Sequence, residues 1–193
     1  MEPEKKEVVF LKGSRINLRP VLESDIPLLL RWINDPEVTQ YLSAYLPMME
    51  EDEREWFNSL SSKKPYDIVL TIMVDCNPIG VIGIHNVSLK DRTATTGALI
   101  GEKDCWGKGY GTEAKMILLN YAFNTLNLRK INSSVFEFNE RSYAYSIKCG
   151  YKEEGVRKQQ LFRNGKYWDE ILLTVFKEDW IPVWEEYKKK HKL

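Results

Sequence analysis

The sequence predicts a single domain of mixed α/β class, and three observations carry that expectation. Apolar, β-branched runs alternate with segments whose apolar residues recur every three or four positions. A glycine-rich turn, Trp106-Gly107-Lys108-Gly109-Tyr110-Gly111-Thr112, joins one such run to one such helix. The 193 residues, 43% hydrophobic and 29% charged, suffice to bury one sizeable core, and no internal repeat or low-complexity segment points to a second domain. The domain is expected to span residues 1–193, with 1–8 and 188–193 as mobile tails.

Arg15 to Arg19 reads as the first strand. Ser24 or Asp25 then caps a helix with Pro27 in its first turn and Leu28, Leu29, Trp32 and Ile33 on its apolar side; Asn34-Asp35-Pro36 stops it. Glu50 to Leu60 reads as a helix that is acidic at its start, where negative charge favours the macrodipole. Asp67 to Val74 and Ile79 to Val87 read as strands turned by Asn77-Pro78, and Thr93 to Ile100 as the strand entering the glycine loop. Beyond the loop, Ala114, Ile117, Leu118, Tyr121, Ala122 and Leu126 mark a helix packed on a sheet. Lys130 to Phe138 is a buried-type strand, and Glu140 to Lys148 a helix ended by Gly150. The chain finishes on a hairpin turned by Asn164-Gly165, the favoured type I′ pair.

Composition narrows the partners. Lysine plus arginine equals aspartate plus glutamate at 28 each, so net charge points to neither nucleic acid nor a membrane surface. The basic run Lys188 to Lys192 reads as a solvated helix end. No apolar run reaches the length of a membrane span, and the first residues lack a signal-peptide core. Cys76, Cys105 and Cys149 are odd in number and widely spaced, which predicts reduced thiols in the cytoplasm rather than a disulfide framework. With only His85 and His191 besides, no metal is expected.

The glycine loop carries the chemistry. Alternate glycines let the backbone approach a ligand and turn N–H groups toward it, and the helix that follows adds unpaired amides and the positive end of its dipole. Strand, glycine turn and helix start together suit a phosphate or pyrophosphate. The glycines at 107, 109 and 111 do not match the G-x-G-x-x-G of dinucleotide folds, and no G-x-x-x-x-G-K-S/T run exists.

The loop resembles the coenzyme A pyrophosphate loop of the GNAT superfamily of N-acetyltransferases, R/Q-x-x-G-x-G/A, with Trp106 in the R/Q place and Gly109 and Gly111 in the glycine places. Trp106 departs from that pattern; backbone amides are expected to do the binding. Asn139-Glu140-Arg141-Ser142 through Lys148-Cys149-Gly150-Tyr151 to Gly155 is similar to the N-x-x-S/A…GF-x-x-EG stretch of the same superfamily. Phe162 to Asp169, Leu18-Arg19-Pro20 with Asp25, and Trp32 to Pro36 resemble the RimJ/RimL-like branch, which acetylates ribosomal-protein N-termini. The resemblance covers residues 14 to 180. It implies a central, mostly antiparallel twisted sheet of six to seven strands, flanked by helices and splayed where acetyl-CoA binds.

It also implies a direct attack of an amine on the thioester. Backbone groups at Leu99 and Ile100 are then expected to meet the pantetheine, and residues 106 to 112 the pyrophosphate. Asn139 is either a coenzyme contact or a helix N-cap, and Lys108, Arg141 and Lys148 are cationic candidates for phosphate. Many superfamily members carry a tyrosine acid four residues before the GF glycine; here that place is Ser146, with Tyr145 about 100° away on the helix. Ser142, Tyr145 and Ser146 are therefore the acid candidates. For the base, Thr95 and Thr96 stand where relatives often carry a carboxylate, which leaves Glu137 and His85. The aromatics Trp32, Tyr41, Tyr45 and Trp56 either line an amine groove or form core.

An α-amine with pKa 7.7–8.0 is roughly 10–15% neutral at pH 7, whereas a lysine amine is about 0.04% neutral. Weak base candidates thus favour a protein N-terminus as acceptor, over polyamines, aminoglycosides or amino sugars. A polyamine site would call for an acidic pocket, and Glu50 to Glu53 is the one acidic cluster in the sequence available for it. A non-catalytic acyl-CoA sensor and a homodimer stay open.

Overall fold

The computed structural model describes residues 8–62 and 67–191; the expected tail at 1–7, and Lys192 and Leu193, lie outside them. In chain order the strands are β1 (Leu11–Lys12), β2 (Asn17–Pro20), β3 (Ile68–Val74), β4 (Asn77–Ser88), β5 (Thr93–Ile100), β6 (Lys130–Phe136), β7 (Lys152–Arg163) and β8 (Lys166–Phe176). The helices are α1 (Ile26–Ile33), α2 (Pro36–Thr39), α3 (Glu50–Ser62), α4 (Tyr110–Asn124), α5 (Glu140–Lys148) and α6 (Lys177–His191). The strands form one sheet in the order β1-β2-β3-β4-β5-β6-β8-β7.

Every neighbouring pair is antiparallel except β5 and β6. A parallel pair needs a crossover, and α4 supplies it. β5 and β6 pair only at Thr93–Lys130, Ala94–Ile131 and Thr95–Asn132. Beyond that, β5 stays with β4 as far as Ile100 while β6 follows β8 as far as Phe136. The sheet therefore forks, which is the splay the resemblance implied.

Helices cover both faces. Between α4, α5 and α6 and the sheet lies the main core, with Ile72, Ile82, Ile84, Ile131 and Val175 from the strands and Met116, Leu118, Leu119 and Phe123 from α4. Helix α4 is buried without a break from Glu113 to Leu119, as expected of a helix enclosed on all sides. The opposite face carries α1 and α3, whose Leu29, Trp32, Trp56, Phe57 and Leu60 pack on Val69, Val81 and Leu99. Trp32 and Trp56 thus belong to core. A buried pair ties β2 to α1: Arg19 donates to both oxygens of Asp25 at 2.6 and 2.8 Å, and the Leu22 amide and Thr71 hydroxyl also donate to that carboxylate.

Most predicted boundaries match closely, including β5, α5 with Gly150 at φ +92°, and the type I′ turn at Asn164 and Gly165 (φ +52° and +79°). Four differ. The short β1 adds an eighth strand. The turn before β4 falls at Asp75 and Cys76, φ +47° and +63°, and not at Asn77-Pro78. A type I′ turn needs positive φ at both central residues, which the proline ring forbids. Asn34-Asp35-Pro36 ends α1 but also starts α2, where Asp35 accepts from the Glu37 amide at 2.9 Å. Lys188 to His191 continue α6 instead of forming a tail.

Candidate active site

The fork opens into a cleft of about 510 Å³, lined by the far ends of β5 and β6, the glycine loop, the first turns of α5, and residues 38–43. Gly107 and Gly109 have φ of +75° and +83°, a region that disfavours any side chain. Gly109 is the N-cap of α4, and no side chain caps that helix. The first helical bond is Glu113 N–H to Gly109 C=O at 3.1 Å. The amides of Tyr110, Gly111 and Thr112 precede it, so they have no helical carbonyl to meet and are available to an anion. A Cβ at Gly107 would meet nothing within 4 Å, so open space stands over the loop.

Two braces that the sequence reading missed hold the loop in place. Glu113 is fully buried in the first turn of α4. Its Oε1 accepts the Ser14 and Arg15 amides, both at 2.7 Å, and its Oε2 accepts from Arg15 Nε at 3.0 Å. Arg15 then donates to the Lys108 carbonyl at 3.0 Å, so the β1–β2 turn grips both helix and loop. On the other side Trp106 Nε1 donates to the Ile100 carbonyl at 2.7 Å, tying the loop to the end of β5. The Arg141 guanidinium lies over the Trp106 ring at 4.1 Å and over the Tyr41 ring at 5.3 Å. This stack joins loop, α5 and the 38–43 segment across the cleft. Lys108 itself is exposed beside the loop, outside the cleft wall.

The edge of β5 presents hydrogen-bonding groups to the gap. The Gly101 amide bonds to Ile79 of the adjacent β4 segment at 2.9 Å. Alternation then turns residues 97, 99 and 101 toward β4, and leaves the backbone of Ala98 and Ile100 facing the space that β6 has vacated. The Ile100 backbone faces the gap with its carbonyl already accepting from Trp106 Nε1, Ala98 lies beside it on the same edge, and Leu99 lines the cleft while its backbone faces β4.

Residues 15–152 match the family described as the acetyltransferase (GNAT) domain. The chain belongs to the GNAT acetyltransferases. It is 28% identical over 150 residues to the putative ribosomal N-acetyltransferase YdaF of Bacillus subtilis, covering 78% of this chain and 79% of that protein. Two solved structures superpose with TM-scores of 0.80: the spermidine N-acetyltransferase of Vibrio cholerae with CoA and spermine (22% identity, 88% of this chain and 99% of that one), and RimL, the ribosomal L7/L12 α-N-protein acetyltransferase, with coenzyme A (18%, 88% and 98%). At those identities the likeness is one of fold. As a GNAT acetyltransferase the chain is an acetyl-CoA-dependent N-acetyltransferase, and the glycine loop and β5 edge are the features that suit the donor's pyrophosphate and pantetheine.

The remaining predicted residues divide by position. Ser142 and Tyr145 line the GNAT cleft, on the wall formed by α5. Burial, with the nearby Cys149 thiol, pushes the Tyr145 phenol well above its ordinary range, although a bond to Ser146 draws it down, so it stays protonated as an acid requires. Ser146 is buried behind that wall. Asn139 both caps α5, accepting from the Ser142 amide at 3.1 Å, and lines the cleft. Glu137 is exposed outside the cleft lining and accepts from the Asp169 amide at 3.3 Å. His85, on β4, sits 3.7 Å from Asp67, with open backbone at Gly83 and Gly97 beside its ring. Thr96 faces α4, where its hydroxyl lies 2.7 Å from the Tyr151 hydroxyl and accepts from Lys115 at 2.8 Å.

A second cavity of about 450 Å³ lies on the other side of the 36–45 segment. Its walls include Tyr45, Phe138, Trp168 and Arg163, which donates to the Leu42 and Ala44 carbonyls at 2.6 and 3.1 Å. Of the four aromatics expected near the amine, Tyr41 and Tyr45 lie by the cavities.

Proposed function

We propose that the acetyl acceptor is a protein N-terminal α-amine. The observation that carries this reading is the chemistry of the walls. Among the described residues, neither the cleft nor the adjoining cavity is lined by any aspartate or glutamate. The charged groups there are Arg141, Lys148 and Arg163. A polyamine brings two or more ammonium groups, and desolvating each beside arginine and lysine is unfavourable. The acidic run Glu50 to Glu53 lies on α3, outside both linings, and its one buried member, Glu53, is raised in pKa by burial.

The missing carboxylates also bear on proton removal. Deprotonating a lysine-type amine at pH 7 costs about 4.6 kcal/mol, an α-amine only about 1–1.4 kcal/mol. A site without a strong base suits the second. In this reading the neutral amine attacks the thioester carbon and loses its surplus proton to solvent, the C–S bond breaks with its electron pair on sulfur, and Tyr145 gives the proton that makes the free thiol and is reprotonated from solvent. The relatives named above lie on both sides, a putative ribosomal N-acetyltransferase and a spermidine N-acetyltransferase, so the test is direct. Thiol release from acetyl-CoA is measured with a panel of peptides, spermidine, spermine and aminoglycosides. A peptide with a free N-terminus is expected to give the highest kcat/KM, with an N-terminally blocked peptide inert. Higher kcat/KM on spermidine than on every peptide overturns the proposal.

A further inference from the structure

Helix α4 carries a charge into the core. Lys115 is fully buried, and its Nζ donates to Thr96 Oγ1 at 2.8 Å. The rings of Tyr145 and Tyr151 stand 5.4 and 5.3 Å from the same nitrogen. The groups facing it are Thr96 from β5, Tyr145 from α5, and Cys149 and Tyr151 just beyond α5. Among the described residues no carboxylate pairs with it. Cys149 does not neutralise it, because burial first of all pushes that thiol up to about 12. Moving an ammonium out of water costs several kcal/mol, and two ring faces and one hydroxyl offset only part of that. A methionine would fill the same space without the cost. The charge therefore calls for a function.

Its position supplies one. Thr96 is the first residue of β5 beyond the last β5–β6 pair, so it marks the apex of the fork. Both Thr96 and Tyr145 line the cleft, and Lys115 lies directly behind them. With Lys115 donating to its oxygen, the Thr96 hydroxyl keeps its own proton for Tyr151 or for the Asn132 carbonyl at 3.5 Å. An unneutralised cation behind a hydroxyl at the end of a cleft is complementary to an anion arising in that cleft.

We propose that Lys115 is a positioning residue for acetyl transfer, its buried ammonium acting through the Thr96 hydroxyl and across the Tyr145 ring to favour negative charge at the apex of the fork. The inference rests on the cleft being the acetyl-CoA site. The balance of the step is simple: the amine nitrogen bonds to the acetyl carbon, the C–S bond breaks with its pair on sulfur, Tyr145 protonates the sulfur and is reprotonated from solvent, to which the amine's surplus proton is lost, and Lys115 keeps its own proton throughout. One negative charge passes through that place, first on the carbonyl oxygen and then on sulfur. Burial also lowers the Lys115 pKa to about 8, so the charge is present at neutral pH and fades in mild alkali.

The direct readout needs no acceptor. The thiolate absorbance of bound CoA is titrated in the native protein, in Lys115→Met and in Thr96→Val. The bound thiol is expected to titrate about one pH unit lower in the native protein than in either variant, tenfold in thiolate fraction at a given pH. In turnover with the best acceptor, Lys115→Met is expected to lose roughly 10- to 100-fold in kcat, as for a lost transition-state donor, with acetyl-CoA Kd within threefold. The double variant should lose no more than the worse single one, since the two act as one unit. Equal thiol titration in all three proteins overturns the proposal, as does a Lys115→Met kcat within threefold of native. If Lys115→Met fails to fold, Thr96→Val decides alone by the same titration. Failure of the underlying site is separately visible: the native protein would then keep its CoA affinity after Gly109→Asp.

Discussion

Replacing Lys115 by methionine should make the protein more stable, and the gain should vanish in alkali. The lysine is fully buried, and its pKa falls from 10.5 to about 8 because burial disfavours the charged form. That gap corresponds to about 3 kcal/mol of preference for the neutral amine in the folded chain. The unfolded chain keeps its proton up to 10.5, so between about 8 and 10.5 it binds more protons than the folded one. Native stability from this group therefore rises with pH across that window, and below it the full penalty is carried. Methionine carries none. A volume-conserving swap in a well-packed core costs under about 1.5 kcal/mol, so the net gain at pH 7 is about 2–3 kcal/mol. For a chain of this length that is a rise in Tm of roughly 4–12 °C. Urea denaturation of both proteins at pH 7, 9 and 10 measures it, and subtracting the curves removes titrations common to the two. A variant less stable than native at pH 7, or a difference that does not shrink by pH 10, refutes a buried, unneutralised ammonium.

Gly109→Asp places a side chain at φ +83° and an anion on the loop itself, with its Cβ 3.3 Å from the Arg15 guanidinium that braces that loop; acetyl-CoA Kd by calorimetry should rise at least 100-fold while the far-UV spectrum is unchanged. Tyr145→Phe keeps the ring against Lys115 and removes the hydroxyl, so kcat should fall about 10²-fold with KM for acetyl-CoA steady, the split expected of an acid used only in the reaction. Glu113→Gln leaves the Arg15 guanidinium without its carboxylate, and should weaken acetyl-CoA binding about tenfold as the loop loosens, read in the same calorimetry. Asp25→Ala leaves Arg19 buried without its carboxylate and should cost about 3–5 kcal/mol in urea denaturation. Burial by itself raises the Asp25 carboxyl, but Arg19, the Leu22 amide and Thr71 outweigh it and hold its pKa below 3.8. Native stability from this group is thus complete above 3.8 and is lost as pH falls through the lower, folded value, a loss that Asp25→Ala should not show.

Some of this molecule is written locally and some is not. The glycine loop, the capping of α5 by Asn139 and the Asn164-Gly165 turn depend on neighbours within a few residues, and their residue types announce them. Helix α6 is different: Lys177 to His191 is mostly polar and holds Pro182, so only its packing shows why it is helical, with Trp180 fully buried against Phe123. The Arg15–Glu113 brace joins residues 98 apart, and nothing near Glu113 says whether it faces water or Arg15. Lys115 carries the same ambiguity. On a helix with one apolar stripe a lysine is read as solvent-facing, and α4 defeats that reading because it is enclosed on every side.

The cleft itself follows from connectivity. β5 and β6 run parallel, so a helix must cross between them, and it can begin only past the end of β5. That puts the α4 amides and the glycine loop at one end of β5, beside an edge that β6 leaves after Asn132 to follow β8. Unpaired backbone groups at the edge of β5 and at the start of α4 thus fall in line along one strand and its continuation, as the proposed placement of pantetheine and diphosphate requires. The same crossover returns α4 beneath the fork, where Lys115 meets Thr96 at the apex. A residue on the crossover helix can therefore sense charge at the apex without facing the cleft. This is why a catalytic influence at position 115 is coupled to the stability of the core, and why removing the charge should strengthen the fold while it slows the reaction.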